Sequence, residues 1–503
     1  MNQGFVYLVG AGPGRADLIT VRGAEVLKKA DCIIYDKLAN PTLLKYARSD
    51  AEIIHVPKRI GKGSTTQQEI NRLLVEKASG SRIVVRLKGG DPCIFGRISE
   101  ELEVLNAQGI GYEIVPGVTA GVAVSSYSGI MLTDRQYSSQ VTFITGHEAE
   151  GKKDSNIDWS ILAKFSGSLV FYMGIGNLSN ISEKLMENGL SIDTPAAVIS
   201  EVTFSTQRIA QGNIATIQAE CERQKIEPPA LIIIGQAAQN YNDFNWFMKQ
   251  PLFGKSIIMT RDESGNADFA EKIITRGGIP VSYATFQIKP LTETTEFLQI
   301  LTKFSNYDWI IFTSQNGVKV FFNALEKLNK DARVFSSVKI ACIGPQTEAT
   351  LNQFAIKADF VPTIFTSEQF GKQIISFVDL KGKKVLLLRS KIASNELVEM
   401  LKKADAVVDD ISIYTAVMKK SDSTTLEEKI QNNEIDWITF ASPSAVQGFF
   451  ENINTELINS SKIKIASVGP VTSMELERKG VKANITAKEH TFDGLLDSME
   501  QVY

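Results

Sequence analysis

The chain has 503 residues, and its 54 lysines and arginines nearly balance its 57 aspartates and glutamates, for a net charge of −3. This balance offers no basic field for a nucleic-acid partner, and the three histidines and four cysteines never stand at zinc, iron–sulfur or dithiol spacing. The composition therefore argues against a metal site or a disulfide scaffold, and it favours chemistry based on carboxylates, lysine, hydroxyls, backbone amides or a cofactor.

Short apolar runs alternate with helical patterns from the first residues onward. The predicted strands of the first half are Phe5–Val9, Cys32–Tyr35, Ile83–Leu87, Tyr112–Val115, Val141–Ile144, Leu169–Met173 and Leu231–Ile234. The helical patterns between them are Ala24–Ala30, Gln67–Ala78, Ser99–Ala107 and Leu178–Asn188. This alternation predicts α/β lobes built mainly on parallel sheets. Because no apolar run is long enough to cross a bilayer, and the N-terminus enters a strand directly, we expect a soluble, cytoplasmic protein.

Glycine-containing loops follow several of these strands: Gly10–Gly14, Gly89–Pro92, Pro116–Ala120 and Tyr172–Gly174. The first loop fits a dinucleotide fingerprint poorly, because Arg15 replaces the third glycine and Pro13 has no amide proton to face a pyrophosphate. A nucleotide-dependent oxidoreductase is therefore the third-ranked interpretation. Since ligands of α/β sheets bind at the carboxyl ends of strands, the four loops predict a flat ligand lying against backbone.

A polar, asparagine-rich stretch at Gln236–Pro251 separates two halves of the chain. It follows an apolar strand, lacks strong periodicity and precedes a new strand pattern that begins at Gly254. We therefore predict one domain over 1–245, a linker over 246–253 and a second domain over 254–503.

The second half contains an internal repeat. Asp308–Ser314 recurs as Asp436–Ser442, and Lys339–Pro345 recurs as Lys464–Pro470. The period is too long for a solenoid and predicts two similar α/β lobes facing each other across a cleft. Serine and threonine stand where the helices of both copies begin. Helix N-termini bind anions, so these positions suit a ligand with many carboxylates, although ordinary helix caps are the alternative interpretation.

A set of motifs in the first half stands in one order along the chain. They are Val9–Gly14, Tyr35-Asp36, Pro57–Arg59, Arg86–Pro92 with Phe95–Arg97, Pro116–Ala120, Thr145–His147, Phe171–Gly174 and Pro229–Ile232. Together they resemble the uroporphyrinogen-III C-methyltransferases of the tetrapyrrole methylase family. The resemblance implies a two-lobed, non-Rossmann fold that binds S-adenosylmethionine. The cofactor-binding residues that it implies are Pro13, Gly89, Gly90, Asp91, Ile94, Thr119, Ala120, Met173 and Ala230.

By the same resemblance, Asp36 accepts a proton and Lys58 donates one during methyl transfer to a pyrrole carbon. S-adenosylmethionine carries an already activated methyl group, so a carboxylate and an ammonium suffice for the remaining proton transfers. The residue patterns alone also allow Asp36 to be a turn or cap residue, Lys58 a solvated surface residue and Met173 a core residue. The chain departs from the family at Val202, where a glycine is expected near the cofactor's adenine.

The second half resembles uroporphyrinogen-III synthase over residues 254–503. Its marks are both Asp-Trp-Ile segments, both Gly-Pro turns, Arg389-Ser390 and Ile413-Tyr414. The resemblance implies that hydroxymethylbilane loses water and closes with its last ring inverted. It implies Tyr414 as the acid for the departing hydroxyl, and it implies that Ser442 and Thr472 bind substrate carboxylates, with Ser314 and Ser367 opposite. Its topology implies discontinuous lobes, 254–288 with 417–503, and 289–416.

We therefore predict a bifunctional α/β enzyme in which the second half makes uroporphyrinogen III and the first half methylates it twice to precorrin-2, for siroheme or cobalamin. The expected partners are small-molecule tetrapyrroles, with neither nucleic acid nor membrane. By analogy with the methyltransferase family we expect a homodimer through the first half. The alternative function is a tetrapyrrole methyltransferase fused to a non-catalytic bilobed ligand-binding module.

Overall fold

Alternating strands and helices form four five-stranded sheets in the part of the chain that the structure describes. The structure is a computed structural model, and it describes residues 4–56, 66–147, 156–239, 243–335, 338–418 and 423–503. The chain divides into two compact units. The first comprises Met1–Lys255 with Ile273–Ile279 and Tyr503, and the second comprises Ser256–Lys272 with Pro280–Val502.

The first sheet has the strand order β3-β2-β4-β1-β5, and all its neighbours are parallel. Its strands are β1 (Phe5–Gly10), β2 (Cys32–Asp36), β3 (Glu52–Val56), β4 (Ile83–Lys88) and β5 (Gly111–Val115). The helices between them are α1 (Val21–Leu27), α2 (Gln67–Lys77) and α3 (Ile98–Ala107). Neighbouring Ile33 and Ile34 are both fully buried, in the cores on opposite faces of the sheet. Cover on both faces explains why β1 and β2 are largely apolar along their length.

The second sheet has the order β6-β7-β10-β8-β9. Its elements are α4 (Ala120–Ser128), β6 (Val141–Thr145), α5 (Trp159–Ala163), β7 (Ser168–Tyr172), α6 (Leu178–Glu187), β8 (Pro195–Ser200), β9 (Arg208–Asn213), α7 (Ile217–Arg223) and β10 (Ala230–Ile234). Here the expectation of a mainly parallel sheet is wrong, because only β6 and β7 run parallel and the other three pairings are antiparallel. The stretch from Ser200 to Arg208 is too short for the crossover that parallel strands require.

The segment predicted as a linker packs against α4 of the first unit. Phe247 is 1% exposed, and its ring lies edge-on to that of Tyr127 with 4.9 Å between the centroids. The indole Nε1 of Trp246 donates a hydrogen bond to the carbonyl of Ser126 at 2.7 Å. The guanidinium of Arg15 lies 6.0 Å from the Phe247 ring centroid. The aromatic residues therefore attach this polar segment to the first unit.

Apart from Ile279, the third and fourth sheets lie in the second unit, with orders β12-β11-β18-β19-β20 and β13-β17-β16-β14-β15. The third sheet and its helices comprise β11 (Ser256–Met259), α8 (Glu263–Thr275), β12 (Ile279–Ser282), α14 (Thr424–Gln431), β18 (Trp437–Phe440), α15 (Pro443–Phe450), α16 (Thr455–Ser460), β19 (Lys464–Ser467), α17 (Pro470–Arg478), β20 (Ile485–Thr486) and α18 (Phe492–Glu500). The fourth comprises β13 (Phe286–Pro290), α9 (Thr295–Thr302), β14 (Trp309–Phe312), α10 (Gln315–Lys327), β15 (Lys339–Cys342), α11 (Pro345–Asn352), α12 (Ser367–Phe377), β16 (Lys384–Ser390), α13 (Glu396–Lys403) and β17 (Val407–Met418). The chain thus leaves the third sheet after β12 and returns to it after β17.

The repeat predicted from the sequence is also a repeat in backbone geometry. Ser314 and Ser442 cap α10 and α15 with φ and ψ of −165° and 156°, and of −165° and 158°. Gly344 and Gly469 precede α11 and α17 in matching extended conformations. The duplicated α/β lobes are therefore confirmed. Across the described ranges, none of the helices combines the length and apolar character needed to traverse a membrane.

Candidate functional site

The carboxyl ends of the first sheet bring three glycine-containing loops together. The amide of Gly90 donates to the carbonyl of Gly12 at 2.7 Å, and the amide of Gly12 donates back to Gly90 at 3.2 Å. Asp91 joins the next loop, because its Oδ2 accepts from the amide of Gly117 at 2.9 Å. Its Oδ1 accepts from the amide of Cys93 at 2.8 Å. Asp91 therefore organises the loops after β4 and β5.

Glycine is required where two of these loops touch. A Cβ atom on Gly117 would lie 2.3 Å from the carbonyl oxygen of Gly90 and 2.7 Å from Cα of Gly10. A Cβ on Gly90 would meet one atom within 4 Å, Cα of Thr119 at 3.9 Å. Backbone therefore closes one side of this loop cluster, while open space remains beside Gly90.

The second sheet reaches the same loops through Tyr172, which ends β7. Its hydroxyl oxygen accepts from the amide of Gly121 at 2.7 Å and lies 2.8 Å from Oγ1 of Thr119. Burial raises the pKa of Tyr172, so the phenol keeps its proton at neutral pH. No role for Tyr172 was predicted from the sequence. The feature of the sequence that could have indicated a role for Tyr172 is a phenol at the end of a mostly apolar strand.

The backbone around this edge is strained at several residues other than glycine: Phe95, Arg97, Met173, Glu201 and Thr203 all have φ between 48° and 74°. Such strain concentrates at functional sites. Met173 is 54% exposed and is therefore not a core residue. The adjoining Tyr172 pairs with Leu231, so Ala230 begins its strand next to Met173.

The nine residues predicted to bind the cofactor all lie in these loops or at the adjoining ends of helices and strands. Pro13 follows β1. Four residues follow β4, namely Gly89, Gly90, Asp91 and Ile94. Thr119 and Ala120 begin α4, Met173 follows β7 and Ala230 begins β10. Val202 is 6% exposed and packs in the apolar core beside the second sheet. Contact between these residues and a cofactor remains a prediction.

Asp36 ends β2 at the same edge and belongs to a network of buried charges. Nη2 of Arg86 donates to Oδ1 of Asp36 at 2.5 Å, and Nε of Arg86 donates to Oε1 of Glu101 at 3.3 Å. Nζ of Lys88 donates to Oε2 of Glu101 at 2.8 Å. Burial lowers the pKa of the Lys88 ammonium, although Glu101 opposes that shift. Lys58, the predicted proton donor, lies outside the described residues.

Arg86 and Lys88 belong to a motif of the sequence, but no partner was predicted for either of them. Two cations that alternate with a leucine in a buried strand must be paired. That reasoning predicts a buried acid, although it does not identify Glu101 as the residue.

In the second unit, Tyr414 and Ser314 come together from β17 and from the start of α10. Their hydroxyl oxygens lie 2.8 Å apart, and Oγ of Ser314 also accepts from the amide of Gly317 at 3.0 Å. Tyr414 is 7% exposed. Burial raises its pKa, opposed by hydrogen bonds with Ser314 and Ser390 and assisted by the negative charge of Asp262. The phenol is therefore protonated at neutral pH and able to act as an acid.

The other predicted substrate-binding residues occupy separate helix starts. Oγ of Ser442 accepts from the amide of Ala445 at 3.2 Å and caps α15. Thr472 is 3% exposed in the first turn of α17. Because β18 and β19 are parallel neighbours, Ser442 and Thr472 follow strands that end at one edge of the third sheet. Ser367 begins α12 in the other lobe, where Thr366 supplies the cap.

Arg389, a motif residue, has a structural arrangement of its own. It is 5% exposed, and its Nε donates to Oδ1 of Asp410 at 2.6 Å. Nη1 donates to the carbonyl of Ser394, and Nη2 donates to Oδ1 of Asn395 at 3.1 Å. Arg389 therefore fixes the turn that follows Ser390, next to Tyr414.

Two protein families match the chain, one in each half. The family described as Tetrapyrrole (Corrin/Porphyrin) Methylases matches residues 6–218, and Uroporphyrinogen-III synthase HemD matches residues 267–497. The porphyrin biosynthesis protein HemD of Ruminiclostridium josui is 35% identical over 502 residues, covering 100% of this chain and 99% of that protein. The uroporphyrinogen-III C-methyltransferase of Bacillus subtilis is 38% identical over 70% of this chain and 72% of that protein. The S-adenosyl-L-methionine-dependent uroporphyrinogen III methyltransferase of Methanosarcina barkeri is 46% identical over 46% of this chain and 92% of that protein.

Fold and site together define a class of two-part α/β protein, in which each half carries its candidate site at the carboxyl ends of parallel strands. The chain belongs to the tetrapyrrole methylase family through its first half and to the uroporphyrinogen-III synthase HemD family through its second. Both resemblances found in the sequence are thereby confirmed, as is the fusion of the two.

Proposed function

We propose that the chain is a bifunctional enzyme of tetrapyrrole biosynthesis. Its second half cyclises hydroxymethylbilane to uroporphyrinogen III, and its first half methylates that product twice to give precorrin-2 for siroheme or cobalamin. The observation that carries this proposal is the similarity of the whole chain to the HemD protein of Ruminiclostridium josui, with each half also matching its own family. The simplest explanation of these two matches is that one chain catalyses two consecutive reactions.

The loops of the first unit fit S-adenosylmethionine as the cofactor. Open space lies beside Gly90, and Gly117 brings its backbone against that of Gly10 and Gly90 in the same cluster of loops. When bound, the cofactor supplies a methyl group activated on a sulfonium. The residues proposed to hold it are Pro13, Gly89, Gly90, Asp91, Ile94, Thr119, Ala120, Met173 and Ala230.

The ring carbon that gains the methyl group carries no hydrogen, so the proton that balances methylation must leave from a ring nitrogen or a bridging carbon of the tetrapyrrole. Asp36 is proposed to accept that proton. Its carboxylate is 16% exposed, whereas its partner Arg86 is fully buried. Asp36 is therefore the member of the ion network that a substrate can reach, and the hydrogen bond from Arg86 holds it in one orientation. Lys58 is proposed to donate a proton to the tetrapyrrole as its conjugation is rearranged.

Tyr414 is proposed to protonate the hydroxyl of hydroxymethylbilane, which then leaves as water. Ser314 orients the phenol through their 2.8 Å hydrogen bond. Ser314, Ser367, Ser442 and Thr472 are proposed to bind the substrate's carboxylates, because each stands at a helix start where free amides favour anions. The bilane is reactive by itself, so its folded conformation contributes more than any one residue.

A coupled assay tests the function directly. The full chain, incubated with hydroxymethylbilane and S-adenosylmethionine, is expected to yield a dimethylated type III product. Unmethylated type I isomer alone would contradict the proposal. Without S-adenosylmethionine, the ratio of type III to type I should rise above that of the spontaneous reaction. An unchanged ratio would support the non-catalytic ligand-binding module instead.

Replacing Tyr414 by phenylalanine is expected to slow type III formation by about tenfold to a hundredfold, at or below the lower end for loss of a general acid. Because burial raises its pKa, Tyr414 stays protonated from about pH 6 to about pH 9, and the wild-type rate should be flat over that range. The matched control is Tyr307→Phe, which removes a phenol that donates to Asp409 at 2.5 Å. The control should lose stability but keep its rate. Equal rates in the two variants would contradict the role of Tyr414.

We also propose that the chain forms a homodimer through the methyltransferase half and acts in the cytoplasm. Analogy with the methyltransferase family supports the dimer. The cysteines support the location, since Cys32, Cys93, Cys221 and Cys342 all lie in described segments and are unbridged. Free thiols are typical of a reducing compartment.

A further inference from the structure

We propose that Glu101 is a positioning residue for methyl transfer, which orients the carboxylate of Asp36 through Arg86 and fixes the loop 89–97 through Lys88. The inference rests on the proposed role of Asp36 as proton acceptor. Glu101 lies on α3 and would act through its neighbours.

Burial sets this carboxylate apart from the surface acids of the same helix. Glu101 and Arg86 are 0% exposed and Lys88 is 2% exposed. Gln67 adds a further hydrogen bond, from its Nε2 to Oε1 of Glu101 at 3.2 Å. Well-packed apolar residues of similar volume are often at least as stable as a buried ion network. The presence of this ion network beside Asp36 therefore favours a role in orienting groups at that edge of the sheet.

The guanidinium of Arg86 has a distinct partner on each side. Nε faces Glu101 and Nη2 faces Asp36, while Nη1 donates to the carbonyl of Ile34 at 3.3 Å. The planar donors of an arginine impose their geometry on both carboxylates. Loss of the Glu101 carboxylate would free the guanidinium to rotate, and the orientation of Asp36 would change with it.

The same carboxylate also closes the base of the candidate cofactor loop. Lys88 ends β4 immediately before Gly89, and Glu101 lies one turn into α3 after the loop. Their ion pair therefore joins the two ends of the segment 89–97. The side chain of Lys88 also passes beneath the loop, with Cε 3.3 Å from where a Cβ on Gly96 would stand.

The balance of charges around Asp36 distinguishes a positioning role of Glu101 from a purely structural one, because only the former changes how the rate depends on pH. The charged groups that face Asp36 are Arg86 and Lys88 from β4, with Glu101 from α3 behind them. On β3, His55 stacks on Tyr35, the residue before Asp36, at 4.7 Å. Removing the charge of Glu101 leaves two buried cations beside one carboxylate. The excess positive charge at this edge would then oppose the uptake of a proton there.

The test uses the full chain carrying Glu101→Gln, assayed for methyl transfer to uroporphyrinogen III across a range of pH. We expect kcat to fall about tenfold, with a smaller change in KM. We also expect the acid limb of the pH–rate profile to move to lower pH by about one unit, which is typical for the loss of one nearby charge. Glu101→Asp should recover part of the rate. Glu103→Gln, exposed on the same helix, should match the wild type.

A wild-type kcat and pH profile in folded Glu101→Gln would overturn the inference. If that variant does not fold, the double variant Glu101→Gln with Lys88→Met removes the ion pair while keeping the charges balanced. It should return the acid limb towards its wild-type position yet keep a reduced kcat, and full activity would overturn the inference. Asp36→Asn is assayed in parallel. Unchanged methyl transfer there contradicts the proposed role of Asp36 as proton acceptor, whereas loss there without an effect of Glu101→Gln contradicts the positioning role alone.

Discussion

Asp36→Asn is expected to slow methyl transfer by about 10²- to 10⁴-fold, the range typical of a lost general base. Asparagine can still accept the hydrogen bond from Arg86, so the loop structure should persist, but the amide cannot take up a proton. Binding of S-adenosylmethionine, measured by titration calorimetry, should change little. The ring-closing activity of the second half should be the same as in the wild type.

The matched control for this variant is Asp50→Asn. Asp50 pairs with Arg48 at the surface, and its side chain is 65% exposed. The control should match the wild type in both activities. If Asp36→Asn instead unfolds the first half or abolishes cofactor binding, Asp36 has the structural role of a turn or cap residue.

Gly117→Ala is expected to weaken S-adenosylmethionine binding by about tenfold to a hundredfold, as overpacking a tight contact destabilises by about 1–3 kcal/mol. The added Cβ would lie 2.3 Å from the carbonyl oxygen of Gly90. The added Cβ would clash with backbone atoms, so no side chain can move aside to relieve the contact. The loops after β1, β4 and β5 must separate, and titration of the cofactor measures the result.

Gly80→Ala is the control for replacing a glycine as such. Gly80 has a φ of 71°, and its Cβ would meet no atom within 4 Å. It precedes β4, at the opposite end of that strand from the loops. Backbone strain should lower the free energy of unfolding by about 1–2 kcal/mol and leave the cofactor affinity unchanged. Equal affinities in Gly117→Ala and Gly80→Ala would show that contact between the loops is not needed for binding.

Much of the architecture could be predicted from the sequence. The strands Phe5–Gly10 and Cys32–Asp36 match largely apolar runs, which are typical of strands buried on both faces. The repeat of Ser314 at Ser442 identified two lobes because equivalent caps need equivalent residues. The pattern did not predict the antiparallel pairings of the second sheet. An apolar run such as Leu231–Ile234 has the same composition whether its strand runs parallel or antiparallel to its neighbours.

Some features were present in the sequence but hidden by their surroundings. Trp246 and Phe247 stand among polar residues, and composition favoured a linker over attachment to the first unit. Likewise, the sequence of the strand that contains Arg86 and Lys88 indicates buried cations. It does not indicate which acidic residue pairs with them. These outcomes depend on three-dimensional neighbours, and local periodicity cannot specify those.

The sequence by itself determined the order of the elements, the two-lobed halves and the families to which they belong, because these depend on local patterns and on motifs read along the chain. Only the tertiary structure decided which side chains meet. Tyr414 contacts Ser314, one hundred residues away, because β16 lies between β14 and β17 and sets their register. Arg86 reaches both Asp36 and Glu101 because β2 pairs with β4 in the sheet and α3 covers one face of that sheet. Such contacts follow from strand pairing and packing, which act across the chain rather than along it.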